Sequence, residues 1–344
     1  MTVLNGGSDR SDAEPVGLVR QALFRAGGLG AIALCVAGSP TVPDLTLVAH
    51  TTTKAGVTLR GPLWGVSPDG NSKGVPALGT LSAQLHHSVQ VVNLFEGWTD
   101  EFPAAAVAQI RALGATPENT WQARAGPGVD HPAYRDRQVA AGAFDSYLRR
   151  FARAIAASGP VLLRYEHEMN ADWYPWAAGV NGNTTADVIA AYRHVHDVVT
   201  NAGAHRVLWV WSPNAYARTP VKDVFPGQRY VDVIGLDNYN DPNRNGHGLW
   251  PATLFDAAID RTTALAPRAR VLINETGSTE RGGNKGTWLR ALFSYVAADP
   301  RILGVVYSEF SRTWTLSSSR SATSAARAGL AGKAWRGTRV IGAR

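Results

Sequence analysis

From about residue 58 onward, short and almost uninterrupted apolar runs alternate with segments whose apolar residues recur every three to four positions. Few folds accommodate that rhythm. The runs occupy residues 63–66, 91–95, 161–163, 207–211, 231–236, 271–273 and 302–307, and a more polar stretch near Thr120 supplies an eighth. A strand apolar along its whole length must be covered on both faces, as in a parallel sheet under helices. Between the runs, Phe144, Leu148, Phe151 and Ile155 fall on one face of a 3.6-residue period, and Gly159-Pro160 ends that helix. Residues 103–113 read as a helix stopped by Gly114. Thr184 caps another, with Asp187 in its first turn, an inner stripe of Val188, Tyr192, Val195 and Val199, and Gly203 as its stop. Further helices fall at 253–265 and 285–298. Neither a linker nor a repeat interrupts the series, which predicts one α/β domain over 58–344, a (β/α)8 TIM barrel. The alternative, an open doubly wound sheet, wants a Gly-rich phosphate turn after its first strand, and the sequence has none.

The composition permits a large core: 45% of the 344 residues are hydrophobic and 18% charged, which excludes a disordered or collagen-like chain. The net charge of +7 is dispersed, without a basic run of the kind that binds nucleic acid or an anionic membrane. Cys35 is the only cysteine, so neither an internal disulfide nor a cysteine zinc site can form. Residues 1–57 read as a leader and linker. Arg20 and Arg25 precede a small, apolar stretch at 26–37, followed by Gly38-Ser39-Pro40, the pattern of a secretory signal. Asp12 and Glu14 in the long basic flank fit that pattern less well, and the alternative is a non-exported leader or an added packing helix. The stretch is too short to span a bilayer, which takes about 20 apolar residues. The expectation is a monomer that is secreted or held in the cell envelope.

A barrel places its chemistry at the C-terminal ends of its strands. Polar and aromatic residues gather there: Phe95-Glu96-Gly97-Trp98, Trp121-Gln122, His167-Glu168-Met169-Asn170, Trp211-Ser212-Pro213-Asn214, Asp237-Asn238-Tyr239-Asn240 and Asn274-Glu275-Thr276. Glu168 and Glu275 lie 107 positions apart, yet end the fourth and seventh strands and so face one mouth. Two carboxyls across a cleft suit glycosidic cleavage, one protonating the leaving oxygen and the other attacking or stabilising an oxocarbenium-like centre. Arg164, four residues before Glu168, is expected to pair with a carboxylate. Trp173, Tyr174 and Trp176 around Pro175 are candidate sugar platforms, together with Trp211, Trp98 and Trp121 at strand ends and Trp314 beyond the last strand. A catalytic metal is not expected: the fourth residue after His167 is Ala171 rather than His, and His194 and His196 do not share a helix face. The calcium-loop-like run from Asp241 through Asn243 and Asn245 to Gly246 has Ala252 where a glutamate belongs. Ser67 and Ser212 lack the nucleophile-elbow glycines.

These stretches resemble glycoside hydrolase family 26, whose best-known members are endo-β-1,4-mannanases. The resemblance rests on Arg164-Tyr-Glu-His167-Glu168-Met169-Asn170 with Trp173-Tyr-Pro-Trp176, on Tyr192-Arg-His194, and on Trp209-Val-Trp211-Ser-Pro-Asn214. It extends through Tyr230-Val-Asp232, Asp237, Tyr239-Asn240 and Asn274-Glu275-Thr-Gly277, and covers about residues 60–320 in order. It implies a (β/α)8 barrel and a retaining double displacement on a β-linked polysaccharide, without a cofactor. By position Glu168 would be the acid/base and Glu275 the nucleophile. His167 would flank the acid/base, Tyr239 would hydrogen-bond the nucleophile, and Trp173 would stack on sugar; Asn170 belongs to the same supporting set. Arg164 and Tyr239 should then sit nearer Glu275. Where many members carry Gly after the Asn, this chain has Ala171-Asp172, and Glu166 adds a third carboxyl that strand alternation would put on the same side as Glu168. The family also includes enzymes for mixed-linkage β-glucan and β-1,3-xylan. A carbohydrate-binding barrel without turnover is the non-enzymatic alternative.

Overall fold

Thr51–Lys54 (β1) and Val57–Arg60 (β2) form an antiparallel hairpin, turned by Ala55 and Gly56, both at positive φ. A two-residue turn of this hand matches the twist of the strands it joins. The computed structural model describes residues 51–242, 248–310, 313–336 and 339–341. Arg339–Ile341 (β11) pairs antiparallel with β2, completing a three-stranded sheet.

The barrel follows. Its strands are Leu63–Ser67 (β3), Val91–Gly97 (β4), Thr116–Gln122 (β5), Val161–Tyr165 (β6), Val207–Trp211 (β7), Val233–Asp237 (β8), Arg270–Thr276 (β9) and Ile302–Ser308 (β10). All pair parallel with their neighbours, and β10 pairs with β3 to close the ring. The expected (β/α)8 barrel is therefore the architecture found. Around it lie Leu78–Leu85 (α1), Ala104–Ala112 (α2), Asp136–Ala140 (α3), Asp145–Ser158 (α4), Thr185–Asn201 (α5), Pro251–Leu265 (α6), Lys285–Ala298 (α7) and Arg320–Leu330 (α8). Helix α4 buries Leu148, Phe151 and Ile155, the stripe its period predicts. Helix α5 starts at a reciprocal cap: Asp187 N donates to Thr184 Oγ1 at 3.1 Å, and Thr184 N to Asp187 Oδ2 at 2.8 Å.

The barrel interior has two storeys. The floor is apolar: Val57 and Leu59 from the hairpin pack against Leu63, Val91, Leu162, Leu208, Val233, Leu272 and Leu303. The hairpin thus plugs the end of the barrel away from the strand C-termini. Lys54 Nζ fixes it to Asp232 at 2.6 Å. Above the floor the interior is polar. Thr120 Oγ1 donates to Asn93 Oδ1 at 2.7 Å, Arg164 Nε to Thr120 Oγ1 at 2.8 Å, and Asn274 Nδ2 to Glu118 Oε2 at 3.0 Å. This layer explains why the third barrel strand, β5, reads so polar: its inward residues are partners for the groups beneath the mouth.

The leader over 1–57 lies outside the described residues up to position 50; its last part belongs to the hairpin. The calcium-loop-like residues 243–246 also lie outside them. Among the described residues no helix is long and apolar enough to cross a membrane.

Candidate active site

Strand β6 ends at Tyr165, and the chain then makes a tight turn in which Glu166 (φ 48°) and Glu168 (φ 53°) both occupy the left-handed region. That conformation is costly for residues with a Cβ and persists where the surroundings over-determine it. Glu166 N donates to Trp121 O at 3.0 Å and Glu168 N to Ser212 O at 2.6 Å, tying the turn to the strand ends on either side. Glu275 lies one residue from the end of β9, where a register shift against β8 brings it opposite Asp237. Such irregularities re-aim a side chain at the rim of a barrel.

Glu168 and Glu275 line one cleft of about 770 Å³ at the strand C-termini, each with 7% of its surface exposed. Their partners differ. Glu275 Oε1 accepts from Arg164 Nη2, and its Oε2 accepts from the Tyr239 hydroxyl at 2.8 Å. Arg164 also donates from Nη1 to Asp237 Oδ1 at 3.2 Å, so one buried guanidinium joins two carboxylates. Glu168 accepts two neutral donors, Asn214 Nδ2 on Oε1 at 2.8 Å and Trp173 Nε1 on Oε2 at 2.7 Å. Burial, followed by the charge of Glu275, pushes the Glu168 carboxyl up to about 7; the Asn214 and Trp173 bonds and Arg164 pull the other way. His167 is wholly buried, with Nε2 3.0 Å from the Tyr174 hydroxyl and 3.9 Å from Glu275 Oε1. Burial, then Arg164 and Arg124, hold it well below the usual imidazole range, so it is neutral. The cleft therefore presents a carboxyl able to carry a proton near neutrality and a carboxylate gripped by a cation and a phenol. That division of labour is what acetal cleavage requires.

The sequence model of glycosyl hydrolase family 26 matches residues 117–291, a span that contains both carboxyls and the groups that hold them. The chain belongs to glycosyl hydrolase family 26. Endoglucanase H of Acetivibrio thermocellus is 34% identical over 206 residues, 56% of this chain and 23% of that protein. A mannan endo-1,4-beta-mannosidase of Bacillus subtilis is 35% identical over 85 residues, 23% of each chain. The chain thus spans less than a quarter of the length of these two relatives. Among solved structures, a beta-mannanase from a symbiotic protist of the termite Reticulitermes speratus superposes with a TM-score of 0.56 at 15% identity. That overlap covers 83% of this chain and 89% of the other, a likeness of fold.

On this family 26 barrel the expected site residues divide. Arg164 and Tyr239 stand against Glu275, and Trp173 stands half exposed in the cleft. Asn170 is buried and acts one step back: its Oδ1 accepts from Asn214 N at 2.8 Å and its Nδ2 donates to Asn214 O at 3.0 Å, fixing the residue that bonds Glu168.

Five tryptophans expected to meet sugar do not line the cleft. Trp121 is fully buried, stacked on Phe151 with centroids 4.2 Å apart, because inward-facing Thr120 turns its neighbour outward. Trp211 likewise points out from the barrel, next to inward Val210, and packs on Phe225. Trp98 is buried among Trp121, Phe144 and Tyr165. Trp176 lies beneath Tyr174, with rings 4.5 Å apart, and donates Nε1 to His167 O at 2.7 Å. Trp314 packs behind Tyr239, against Gly277, where a Cβ would meet its ring at 2.8 Å.

Glu166 also departs from expectation. Its side chain does not join Glu168, because strand geometry ends at Tyr165 and the turn sends it outward, toward α3, where the Tyr165 hydroxyl donates to its Oε1 at 2.6 Å. Residues not assigned from sequence complete the cleft: Asn214, Gln122, Arg124, Tyr216 and Phe310. Asn214 and Phe310 follow the ends of β7 and β10, and Gln122 follows inward Thr120 by two, so strand-end position and alternation were the signals.

Proposed function

We propose that the chain is a retaining glycoside hydrolase that cleaves a β-linked polysaccharide within the chain, acting on β-1,4-mannan as a monomer without a cofactor. Glu168 protonates the glycosidic oxygen while Glu275 attacks the anomeric carbon. Water then hydrolyses the glycosyl-enzyme, with Glu168 as base. The observation that carries this reading is the contrast between the two carboxyls of one cleft: Arg164 and Tyr239 hold Glu275, while burial and the charge of Glu275 hold Glu168 at about 7 against its neutral donors. Tyr239 and Arg164 keep the nucleophile in line, and the exposed face of Trp173 offers a stacking surface beside the proton donor. The mannosidase relatives support the choice of polymer.

A second reading keeps the chemistry and changes the polymer to mixed-linkage β-glucan. It is favoured by the relative named Endoglucanase H, whose match extends over 206 residues. Purified protein incubated with mannan, mixed-linkage β-glucan and β-1,3-xylan, with products sized and the first-formed anomer followed by NMR, decides between them. Mannan cleavage to oligosaccharides with retention of the β-anomer is expected. Glucan as the preferred polymer selects the second reading. Binding without turnover on all three substrates overturns the hydrolase in favour of a sugar-binding barrel. Export through the leader belongs to the same proposal and is checked by recovery of a processed chain outside the producing cell.

A further inference from the structure

Behind the turn that presents Glu168, two further carboxyl groups meet away from the cleft. Asp136 opens α3, between β5 and β6, and Glu166 is the first residue past β6; they are 0% and 1% exposed, and their side chains lie within hydrogen-bonding reach of each other. Glu166 Oε1 accepts from the Tyr165 hydroxyl, and Asp136 N donates to Asn183 Oδ1 at 3.0 Å. Glu166 Oε2 and both carboxyl oxygens of Asp136 find no donor among the described residues. Two ionised carboxylates here would leave three buried acceptors bare, each stripped of water without a donor in its place, and would face each other as like charges. One proton between them turns one carboxyl into a donor for the other, which removes the repulsion and leaves one Asp136 oxygen in place of three bare acceptors. Of the remaining groups that act on the pair, Asp187, another carboxylate in the first turn of α5, favours retention of the proton, while the Tyr165 hydroxyl from β6 works against it by donating to Glu166. Burial, then this mutual repulsion, raises Glu166 well above the usual carboxyl range; burial first, with Asp187 adding to it, does the same for Asp136.

The pair sits where an anchor is required. Glu166 and Glu168 are both left-handed, and only two backbone bonds, to Trp121 O and Ser212 O, hold the amides of these two residues. We propose that Asp136 and Glu166 share one proton and together clamp the strained turn that positions Glu168, releasing it when that proton is lost at alkaline pH. Glu166 and Asp136 are positioning residues, since neither lines the cleft. The catalytic consequence rests on the role given to Glu168 above; the clamp itself does not.

The test compares wild type with Glu166→Gln, Glu166→Ala and Asp136→Asn in two measurements. One is kcat and KM on the polysaccharide that wild type cleaves. The other is amide hydrogen exchange of residues 166–176 from neutral to alkaline pH, corrected for the intrinsic pH dependence of exchange. In wild type this segment is expected to lose protection as pH rises while α7 keeps its own. In Glu166→Gln an amide donates to Asp136 with no proton to lose, so protection persists and kcat at neutral pH stays within about threefold of wild type. Asp136→Asn rescues in the reverse sense. Glu166→Ala is expected to lower kcat about 10²-fold with little change in KM, the size of effect that follows a misplaced catalytic group. Identical alkaline loss of protection in wild type and Glu166→Gln, or no loss in wild type, overturns the clamp. So does a Glu166→Ala protein with wild-type kcat. Should that variant fail to fold, the wild-type and Gln pair still decides. Exchange needs no turnover, so an inactive wild type sinks the hydrolase reading alone and leaves the clamp measurable.

Discussion

The indole N–H of Trp173 donates to Glu168 Oε2 at 2.7 Å, so a half-exposed ring of the cleft is bonded to the carboxyl that burial drives up to about 7. The bond favours the charged form of Glu168 and opposes that rise. If Glu168 acts as a proton donor, kcat/KM is full below about pH 7 and falls tenfold per unit above it. Trp173→Phe keeps an aromatic face and deletes the donor. Its alkaline limb is expected to move to higher pH by up to about one unit, the equivalent of one hydrogen bond. A pH–rate profile whose limb stays in place, or moves down, contradicts the assignment.

Removing the carboxyls separates their roles. Glu168→Ala is expected to lose more than about 10²-fold in kcat on polysaccharide and far less on an aryl glycoside whose leaving group needs no proton. Added azide should then yield a β-glycosyl azide, since it enters in the deglycosylation step. Glu275→Ala should be inactive on both substrates, and azide should give the α-product. Product stereochemistry by NMR reads the difference, and exchanged outcomes exchange the two roles.

Arg164 is a different kind of target. It is fully buried, with Asp237 and Glu275 on one guanidinium. Arg164→Leu leaves both carboxylates without their cation and is expected to reduce unfolding free energy by about 3–5 kcal/mol. The deficit should shrink as pH falls and the stranded carboxylates gain protons. Urea titrations at two pH values measure both the size and the sign.

Leu59, on the floor, is the control. Leu59→Ala opens a cavity in a fully buried cluster and should cost about 2–5 kcal/mol. Activity measured well below the melting temperature should stay within about twofold of wild type, because the polar storey lies between the floor and the cleft. A large loss of kcat in a folded Leu59→Ala protein would mean that floor and mouth are coupled.

The architecture was readable because parallel strands covered on both faces leave an unmistakable imprint. The runs at 207–211 and 285–298 match β7 and α7 to the residue. The hairpin was not readable: β1 and β2 are four residues each and owe their existence to the barrel end they fill. Helix α8 was missed because its buried face is mostly alanine, and only its contact with α7, where Gly329 abuts Phe293, shows why small residues are there. In the cleft, strand ends located the charged residues well. Tryptophans were misjudged because position at a strand end does not tell in from out. Inward Thr120 and Val210 decide that for Trp121 and Trp211. Glu166 was misjudged for the opposite reason, since alternation was extended one residue past the strand.

The pairing of β2 with β11 has a practical side. Both the first and the last described strands lie on the plugged side of the barrel, so an affinity handle, a surface linker or a second module attached ahead of Thr51 or behind Ile341 leaves from the underside. Tethers of very different length can then be grafted there without crossing the open top.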